Sequence, residues 1–271
     1  MAFVPELPEV ETTVRGLATV LEGRRLTRIE PRRPDLRRAL PPDLGQRLTG
    51  TRVTGLGRRA KYGLIHTDRE DTLVFHLGMS GRWRIDPADL DKHDHLLIET
   101  QEGRRLALND PRRFGSVDLV RTAELSTWSA FAELGPEPFD LTAEGLKARL
   151  AGRSAAIKLL LLDQRIVAGL GNIYVCEALY RAGISPNRAG GRISLERLRR
   201  LVSAITEVLA EAIEAGGSTL RDYAQPDGAL GYFSKSFAVY DREGAACECG
   251  GTVKRFAQGG RSTWHCPACQ R

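Results

Sequence analysis

Apolar residues at Val10, Val14, Leu17, Val20 and Leu21 recur at the three-and-four spacing of one helix face, so the sequence predicts an amphipathic helix across Glu9 to Leu21. Beyond it, to about residue 135, the period shortens. Val53-Thr54-Gly55-Leu56, Tyr62-Gly63-Leu64-Ile65-His66, Leu73-Val74-Phe75-His76-Leu77, His95-Leu96-Leu97-Ile98-Glu99 and Val117-Asp118-Leu119-Val120 are short apolar runs separated by turn residues, as in a β-sandwich. Gly135-Pro136-Glu137-Pro138 interrupts this pattern as a linker, and helical spacing returns near 143–151, 154–162, 172–182 and 194–215. Gly216-Gly217 stops the last helix, and 218–237, rich in glycine, serine and aromatics, is predicted as a long exposed loop. Val253-Lys254-Arg255-Phe256-Ala257, Gln258-Gly259-Gly260-Arg261 and Ser262-Thr263-Trp264-His265 then read as strand, glycine turn and strand, which puts Arg261 at a turn. The fold class is α+β and multidomain: an N-terminal β-sandwich with an opening helix (1–135), a helical domain (136–225) and a C-terminal β-hairpin module (236–271). No internal repeat is present.

The hairpin is bracketed by Cys247 and Cys249 on one side and Cys266 and Cys269 on the other, two tight pairs with sixteen residues between them. Each pair can offer two thiolates from one turn, and two such turns close a tetrahedron around one structural Zn²⁺. The remaining cysteine, Cys176, reads as a small buried apolar residue. Among 271 residues, 42% are hydrophobic, enough for real cores, and the net charge is +6 with 34 of the 40 basic residues being arginine. Arginine grips phosphate with two parallel hydrogen bonds, so the composition favours a polyanion partner over a merely solvated basic surface. No apolar run approaches the roughly 20 residues of a membrane span, and no secretory signal opens the chain. A reducing cytoplasm is expected, with the cysteines on metal instead of in disulfides.

Pro5-Glu6-Leu7-Pro8-Glu9-Val10-Glu11-Thr12 sets two prolines and three carboxylates at the helix entry, and local helix-start chemistry alone accounts for such a string. Arg58-Arg59-Ala60-Lys61-Tyr62 alone reads as a basic turn, Met79 as a core methionine, and Gly169-Leu170-Gly171-Asn172 as a weak candidate for phosphate at a helix N-terminus. Together with His76-Leu77-Gly78-Met79-Ser80-Gly81, Lys92-His93-Asp94-His95, Asn109-Asp110-Pro111-Arg112-Arg113-Phe114-Gly115, Gly171-Asn172-Ile173-Tyr174, Gly216-Gly217-Ser218-Thr219-Leu220 and the cysteine cluster, these blocks closely resemble, in order and nearly end to end, the formamidopyrimidine-DNA glycosylases, bifunctional repair enzymes for oxidised purines.

That resemblance implies a helix-two-turn-helix module in the helical domain and a zinc finger at the C-terminus. It implies that Pro5 is the nucleophile, attacking C1′ of the damaged nucleotide through its secondary amine, with Glu6 as the adjacent proton-transfer group. An α-amine titrates at about 8 and an unperturbed lysine at about 10, so the former supplies far more neutral amine at physiological pH. Lys61 corresponds to an active-site lysine that contacts phosphate and assists elimination, and Arg261 to the hairpin arginine that binds the phosphates flanking the lesion. Met79, Arg112 and Phe114 match the three side chains that fill the void left by the extruded base. His76, His93, Arg153 and Asn172 fall on matching DNA-contact positions. The implied partner is double-stranded DNA containing oxidised bases or abasic sites, bound by a monomer that works in the cytoplasm at the nucleoid. Within the superfamily, endonuclease VIII, directed at oxidised pyrimidines, is the nearest alternative.

Two departures from the family pattern stand out. Cys247-Glu248-Cys249 has one residue between the cysteines where the family usually has two, which tightens that turn. Met1-Ala2-Phe3-Val4 also precede Pro5, and a proline nitrogen inside a peptide bond is an amide with no usable lone pair. With that leader attached the chain is expected to be inactive. Translation is expected to start at position 4 from a GUG codon, and loss of that methionine frees Pro5; a retained leader would instead leave a noncatalytic zinc DNA-binding protein.

Overall fold

A computed structural model describes residues 4–218, 226–228 and 231–271. The chain divides into two compact units, one comprising the described residues of Met1–Ala132 and Ala215–Tyr232, the other Glu133–Glu214 and Phe233–Arg271.

The first unit opens with helix α1, Leu7–Leu21, which starts two residues before the predicted span. Pro8 lies in its first turn, where a missing N–H costs nothing, and Glu9 Oε2 accepts from the Glu6 backbone N–H at 2.9 Å. The order continues β1 (Leu26–Pro31), α2 (Leu44–Leu48), β2 (Val53–Arg59), β3 (Tyr62–Thr67), β4 (Asp71–His76), β5 (Arg82–Ile85), β6 (Asp94–Thr100), β7 (Arg105–Asn109) and β8 (Ser116–Arg121), then a short helix α3 (Ser129–Ala132). The strands form two antiparallel four-stranded sheets, ordered β1-β6-β7-β5 and β2-β3-β4-β8.

Their shared core takes Leu73 and Phe75 from one sheet, Trp83, Leu96, Ile98 and Leu106 from the other, and Val10, Val14, Leu17 and Leu21 from α1. The predicted helix face is therefore the buried face, and each such side chain stabilises the fold by about 1.5–3 kcal/mol relative to exposure. Gly63 faces Phe75 across the β3–β4 ladder, and a Cβ there would lie 2.1 Å from the Phe75 ring. That position must stay bare for Phe75 to keep its place in the core.

Strands β1, β5 and β7 and the short helices α2 and α3 escape the sequence pattern. In β1 only Leu26 and Ile29 are buried, and β5 alternates Trp83 and Ile85 with arginines over just four residues. Too few apolar positions recur there to declare a period.

The second unit carries α4 (Ala143–Leu150), α5 (Ile157–Leu162), α6 (Asn172–Arg181), α7 (Leu195–Glu214) and the hairpin β9 (Lys254–Gln258) and β10 (Arg261–His265). Thr142 caps α4 by accepting from Gly145 N–H at 3.0 Å. Along α7 the buried positions Leu198, Leu201, Ala204, Ile205, Val208, Leu209 and Ala212 keep helical spacing, whereas α6 is buried continuously from Asn172 to Leu179. Even Glu177 on α6 is fully buried, its carboxylate accepting from the N–H groups of Ala238, Val239 and Tyr240. Cys176 is buried, in line with its reading as a small apolar residue.

The loop expected over 218–237 is exposed at Asp227, Gly228, Tyr232, Lys235 and Ser236 but departs from its prediction at two aromatics. Phe233 and Phe237 are buried and pack edge to face, with Phe233 also against Tyr174, so these residues are core and not exposed loop. Aromatic residues among glycine and serine mimic a solvated loop in sequence, yet their apolar area needs a partner. Residues 219–225 and 229–230 of that loop lie outside the described residues. No helix among the described residues is long and apolar enough to cross a membrane.

Candidate functional site

In the first unit the candidate residues gather at the head of α1 and at the ends of β2, β3, β4 and β7. Pro5 is buried and Glu6, at the helix N-cap, is 3% exposed. Glu9 is a double tie: one carboxylate oxygen holds the Glu6 N–H and the other accepts from Ser218 N–H at 2.8 Å. Ser218, which follows the Gly216-Gly217 helix stop, is thus brought against the head of α1. Arg58 on β2 donates to Glu11 of α1 at 3.0 Å and to Ala60 O at 2.9 Å. Arg59 pairs with Tyr62, which leaves Ala60 and Lys61 as a two-residue turn with Ala60 at φ 52°.

His76 ends β4 beside Tyr62, with ring centroids 4.9 Å apart. Its Nδ1 accepts from Gly78 N–H at 3.0 Å, so Nε2 carries the ring proton. Burial above all, then the charges of Lys61, Arg37 and Arg38, push the His76 imidazole down to about 4. His76 is accordingly a neutral donor on an electropositive edge, suited to an anionic oxygen.

Met79 sits on the turn after β4, and Arg112 and Phe114 on the loop after β7. Met79 is half-buried and the other two are exposed, with the Arg112 guanidinium 4.8 Å from the centroid of the Phe114 ring. Gly78 has φ +64°, and a Cβ there would lie 2.3 Å from the Phe114 backbone, so the turn and the loop touch directly. His93 joins them through its carbonyl, which accepts from Asp110 N–H at 2.9 Å. The structure therefore assembles Lys61 with His76, and His93 with Met79, Arg112 and Phe114, from segments far apart in the chain.

In the second unit Asn172 opens α6 behind Gly171, is 6% exposed, and donates from Nδ2 to Ser262 O at 3.0 Å. Its Oδ1 has no hydrogen-bond partner among the described residues. Lys158 on α5 is wholly buried and donates to the same Ser262 carbonyl at 3.1 Å and to Thr263 Oγ1 at 2.6 Å. Two helices thus fix the start of β10, where exposed Arg261 stands opposite Gln258 across the Gly259-Gly260 turn, both glycines at positive φ. Arg153 is placed differently, beyond the end of α4 and exposed, with Nε donating to Arg149 O at 2.9 Å.

Lys158 is the residue that sequence reading misses. One lysine in the run Ile157-Lys158-Leu159-Leu160-Leu161-Leu162 is the available signal, since a charge there must either face out or be fully hydrogen-bonded.

The four cysteine sulfurs lie within 4.8 Å of one another, with Cys247–Cys269 at 3.9 Å and Cys249–Cys266 at 3.5 Å. A tetrahedron with metal–sulfur bonds of about 2.3 Å has edges of about 3.8 Å, so the cluster fits one metal ion despite the single-residue spacer. Gly251 leaves room for the sulfurs: a Cβ there would lie 2.9 Å from Cys266 Sγ and 3.3 Å from Cys249 Sγ. Tyr180 of α6 sits 3.3 Å from Cys247 Sγ and is the first cause of the Cys247 thiol being drawn down to about 6.

Solved structures of DNA glycosylases share this fold over nearly the whole chain, and family models of the same class cover both its first sheets and its helical unit. Residues 4–117 match the formamidopyrimidine-DNA glycosylase N-terminal domain and residues 134–224 the formamidopyrimidine-DNA glycosylase H2TH domain. The chain belongs to the formamidopyrimidine-DNA glycosylase family. It is 68% identical over 273 residues to the formamidopyrimidine-DNA glycosylase of Novosphingobium aromaticivorans, covering 99% of this chain and all of that one, and 67% identical over 270 residues to that of Rhizorhabdus wittichii with the same coverage. Among solved structures, Lactococcus lactis Fpg bound to DNA containing an abasic site superposes with a TM-score of 0.91 at 34% identity, covering 98% of this chain and all of that one. The MutM (Fpg) protein of Thermus thermophilus gives 0.88 at 41% identity, with 98% of each chain covered.

Proposed function

We propose that this protein removes oxidised purines, 8-oxoguanine and formamidopyrimidines, from duplex DNA and then cleaves the strand at the abasic site it has made. The observation that carries the reading is the head of α1. Pro5 and Glu6 are both buried there, and Glu9 ties the Glu6 backbone to Ser218. The relatives named formamidopyrimidine-DNA glycosylase match over nearly the whole chain, and one Lactococcus lactis Fpg structure holds Fapy-dG DNA, which favours purine lesions over the pyrimidine lesions of endonuclease VIII.

In this reading Pro5 nitrogen, freed of the preceding residues, attacks C1′ and the N-glycosidic bond breaks, the base leaving with a proton. The sugar ring opens and an iminium joins Pro5 to C1′. Glu6, shielded from water, is the proton-transfer group beside it, a role worth roughly 10²–10⁴-fold. Loss of a C2′ proton expels the 3′ phosphate by β-elimination, δ-elimination expels the 5′ phosphate, and water hydrolyses the remaining iminium. Lys61 contacts a lesion phosphate and assists proton movement during elimination.

Before that, the base must leave the stack, and the hole costs a few kcal/mol unless filled. Met79, Arg112 and Phe114 fill it. Each is suited to that role by its chemistry, since methionine adapts, phenylalanine wedges between bases, and arginine bonds the orphaned partner base. His76, His93, Arg153 and Asn172 contact the DNA and Arg261 holds the phosphates flanking the lesion, so affinity falls steeply with salt. Zn²⁺ on Cys247, Cys249, Cys266 and Cys269 shapes the hairpin that carries Arg261. The protein acts as a cytoplasmic monomer at the nucleoid.

Borohydride added during reaction with a duplex bearing a single 8-oxoguanine tests the reading. A covalent adduct should form on a peptide that begins at Pro5, and thymine glycol should be the poorer substrate. Turnover by a chain whose intact mass retains Val4 on Pro5 sinks it.

A further inference from the structure

Asp110 is completely buried, yet no step of the proposed reaction uses it. Its carboxylate joins two segments separated along the chain by the strands β5, β6 and β7. Oδ1 accepts from Ser80 Oγ at 2.5 Å, and Ser80 Oγ in turn accepts from Arg112 N–H at 3.2 Å. Oδ2 accepts from Gly115 N–H at 2.7 Å. The Asp110 backbone completes the junction, its N–H donating to His93 O at 2.9 Å and its carbonyl accepting from Arg113 N–H at 3.2 Å and facing His95 Nε2 at 3.0 Å.

The Met79 turn (78–81) and the Arg112-Phe114 loop (111–115) therefore share one buried acceptor. They also share a surface, since Gly78 abuts the Phe114 backbone and a Cβ at Gly115 would lie 3.0 Å from Asp110 Oδ2. A carboxylate taken out of water must have both oxygens satisfied, and here the donors come from both loops, so separating the loops would strand it.

We infer that Asp110 is a positioning residue that locks the Met79 turn and the Arg112-Phe114 loop into a single wedge, so that the three side chains enter the duplex together. This rests on the void-filling role given to those side chains in the proposed function. Two independent loops would each lose conformational freedom on insertion, whereas a pre-locked wedge has already given it up.

A double-mutant cycle tests the clamp. Met79→Ala, Phe114→Ala and the pair are compared by single-turnover excision of 8-oxoguanine, in the native background and again with Asp110→Ala. Alanine removes both acceptor oxygens, so the loops keep only the Ser80 Oγ–Arg112 N–H bond, with Ser80 Oγ no longer oriented by Asp110. In the native background the pair should lose about tenfold less than the product of the single losses, a coupling within the range for contacting residues. With Asp110→Ala the single losses should simply multiply. A merely structural aspartate would lower stability or all rates together without changing that product.

Losses that multiply already in the native background, or a coupling untouched by Asp110→Ala, overturn the clamp. Single substitutions that leave excision unchanged overturn the void-filling reading beneath it, which is a separable result. Should Asp110→Ala not fold by circular dichroism, Ser80→Ala carries the same cycle, since it removes the link to Oδ1 and to Arg112 N–H while leaving Gly115 bound. Coupling that survives Ser80→Ala in that case also overturns the clamp.

Discussion

The head of α1 and the β9–β10 hairpin both carry residues given a part in the proposed DNA chemistry, and they are held in opposite ways. Around Pro5 and Glu6 the fold supplies a core of two sheets and a helix, and carboxylate hydrogen bonds from Glu9 finish the placement. The hairpin is two strands whose one large buried side chain, Trp264, packs on Tyr240, and isolated hairpins are marginal in water. It is held instead by four clustered cysteines on one side and by Lys158 and Asn172 converging on Ser262 on the other. Where apolar area is plentiful, hydrogen bonds need only orient; where it is scarce, cross-links must also stabilise.

Cys249→Ser puts that contrast under the greatest load. Loss of one ligand should abolish metal binding by elemental analysis and eliminate tight DNA binding, while the unfolding transition of the first unit stays within about 0.5 kcal/mol of native, the usual range for remote changes. If that transition collapses too, the two regions do not rely on separate means. Glu6→Gln should do the reverse, lowering single-turnover excision by about 10²–10⁴-fold with metal content and DNA affinity preserved. Excision at the native rate would remove the proton-transfer role from the helix head.

Within each region the expected effects are smaller. Lys158→Met removes the donor of two hydrogen bonds to the hairpin, and their loss should cost about 2 kcal/mol in urea unfolding of the second unit. A loss indistinguishable from zero would leave the metal and Asn172 as the hairpin's anchors. Acid sensitivity is the mildest case. His76 is pushed from 6.5 to about 4 by burial and neighbouring cations, so the folded state binds its proton less readily than the unfolded chain does. Stability from this group is complete above about 6.5 and is lost as pH falls toward 4. His76→Gln should therefore flatten the decline of Tm between about pH 7 and about pH 5, and an unchanged slope would contradict the burial argument.

Much of this is legible in residue order. Spacing alone announces α1 and its buried face, the helical run of α7 and the hairpin with Arg261 at its turn, because each repeats one structural period long enough to be read. Strands β1, β5 and β7 are not legible, since strands of four to six residues carry two or three inward side chains and too little pattern. Phe233 and Phe237 read as loop because composition reports polarity, while burial depends on what packs alongside. Lys158 stays hidden because its partners, Ser262 and Thr263, lie more than a hundred residues away.

Neighbouring letters settle the local chemistry: a helix headed by prolines and acids, four thiols at metal spacing, and ordered blocks that mark the family. Only the completed fold settles that Glu9 reaches Ser218, that Asp110 receives both the Met79 turn and the Phe114 loop, and that Lys158 is buried against the hairpin. The reason is range. Periodicity and capping act over a few residues, whereas a buried polar group is satisfied by whichever donors and acceptors the folded chain carries to it.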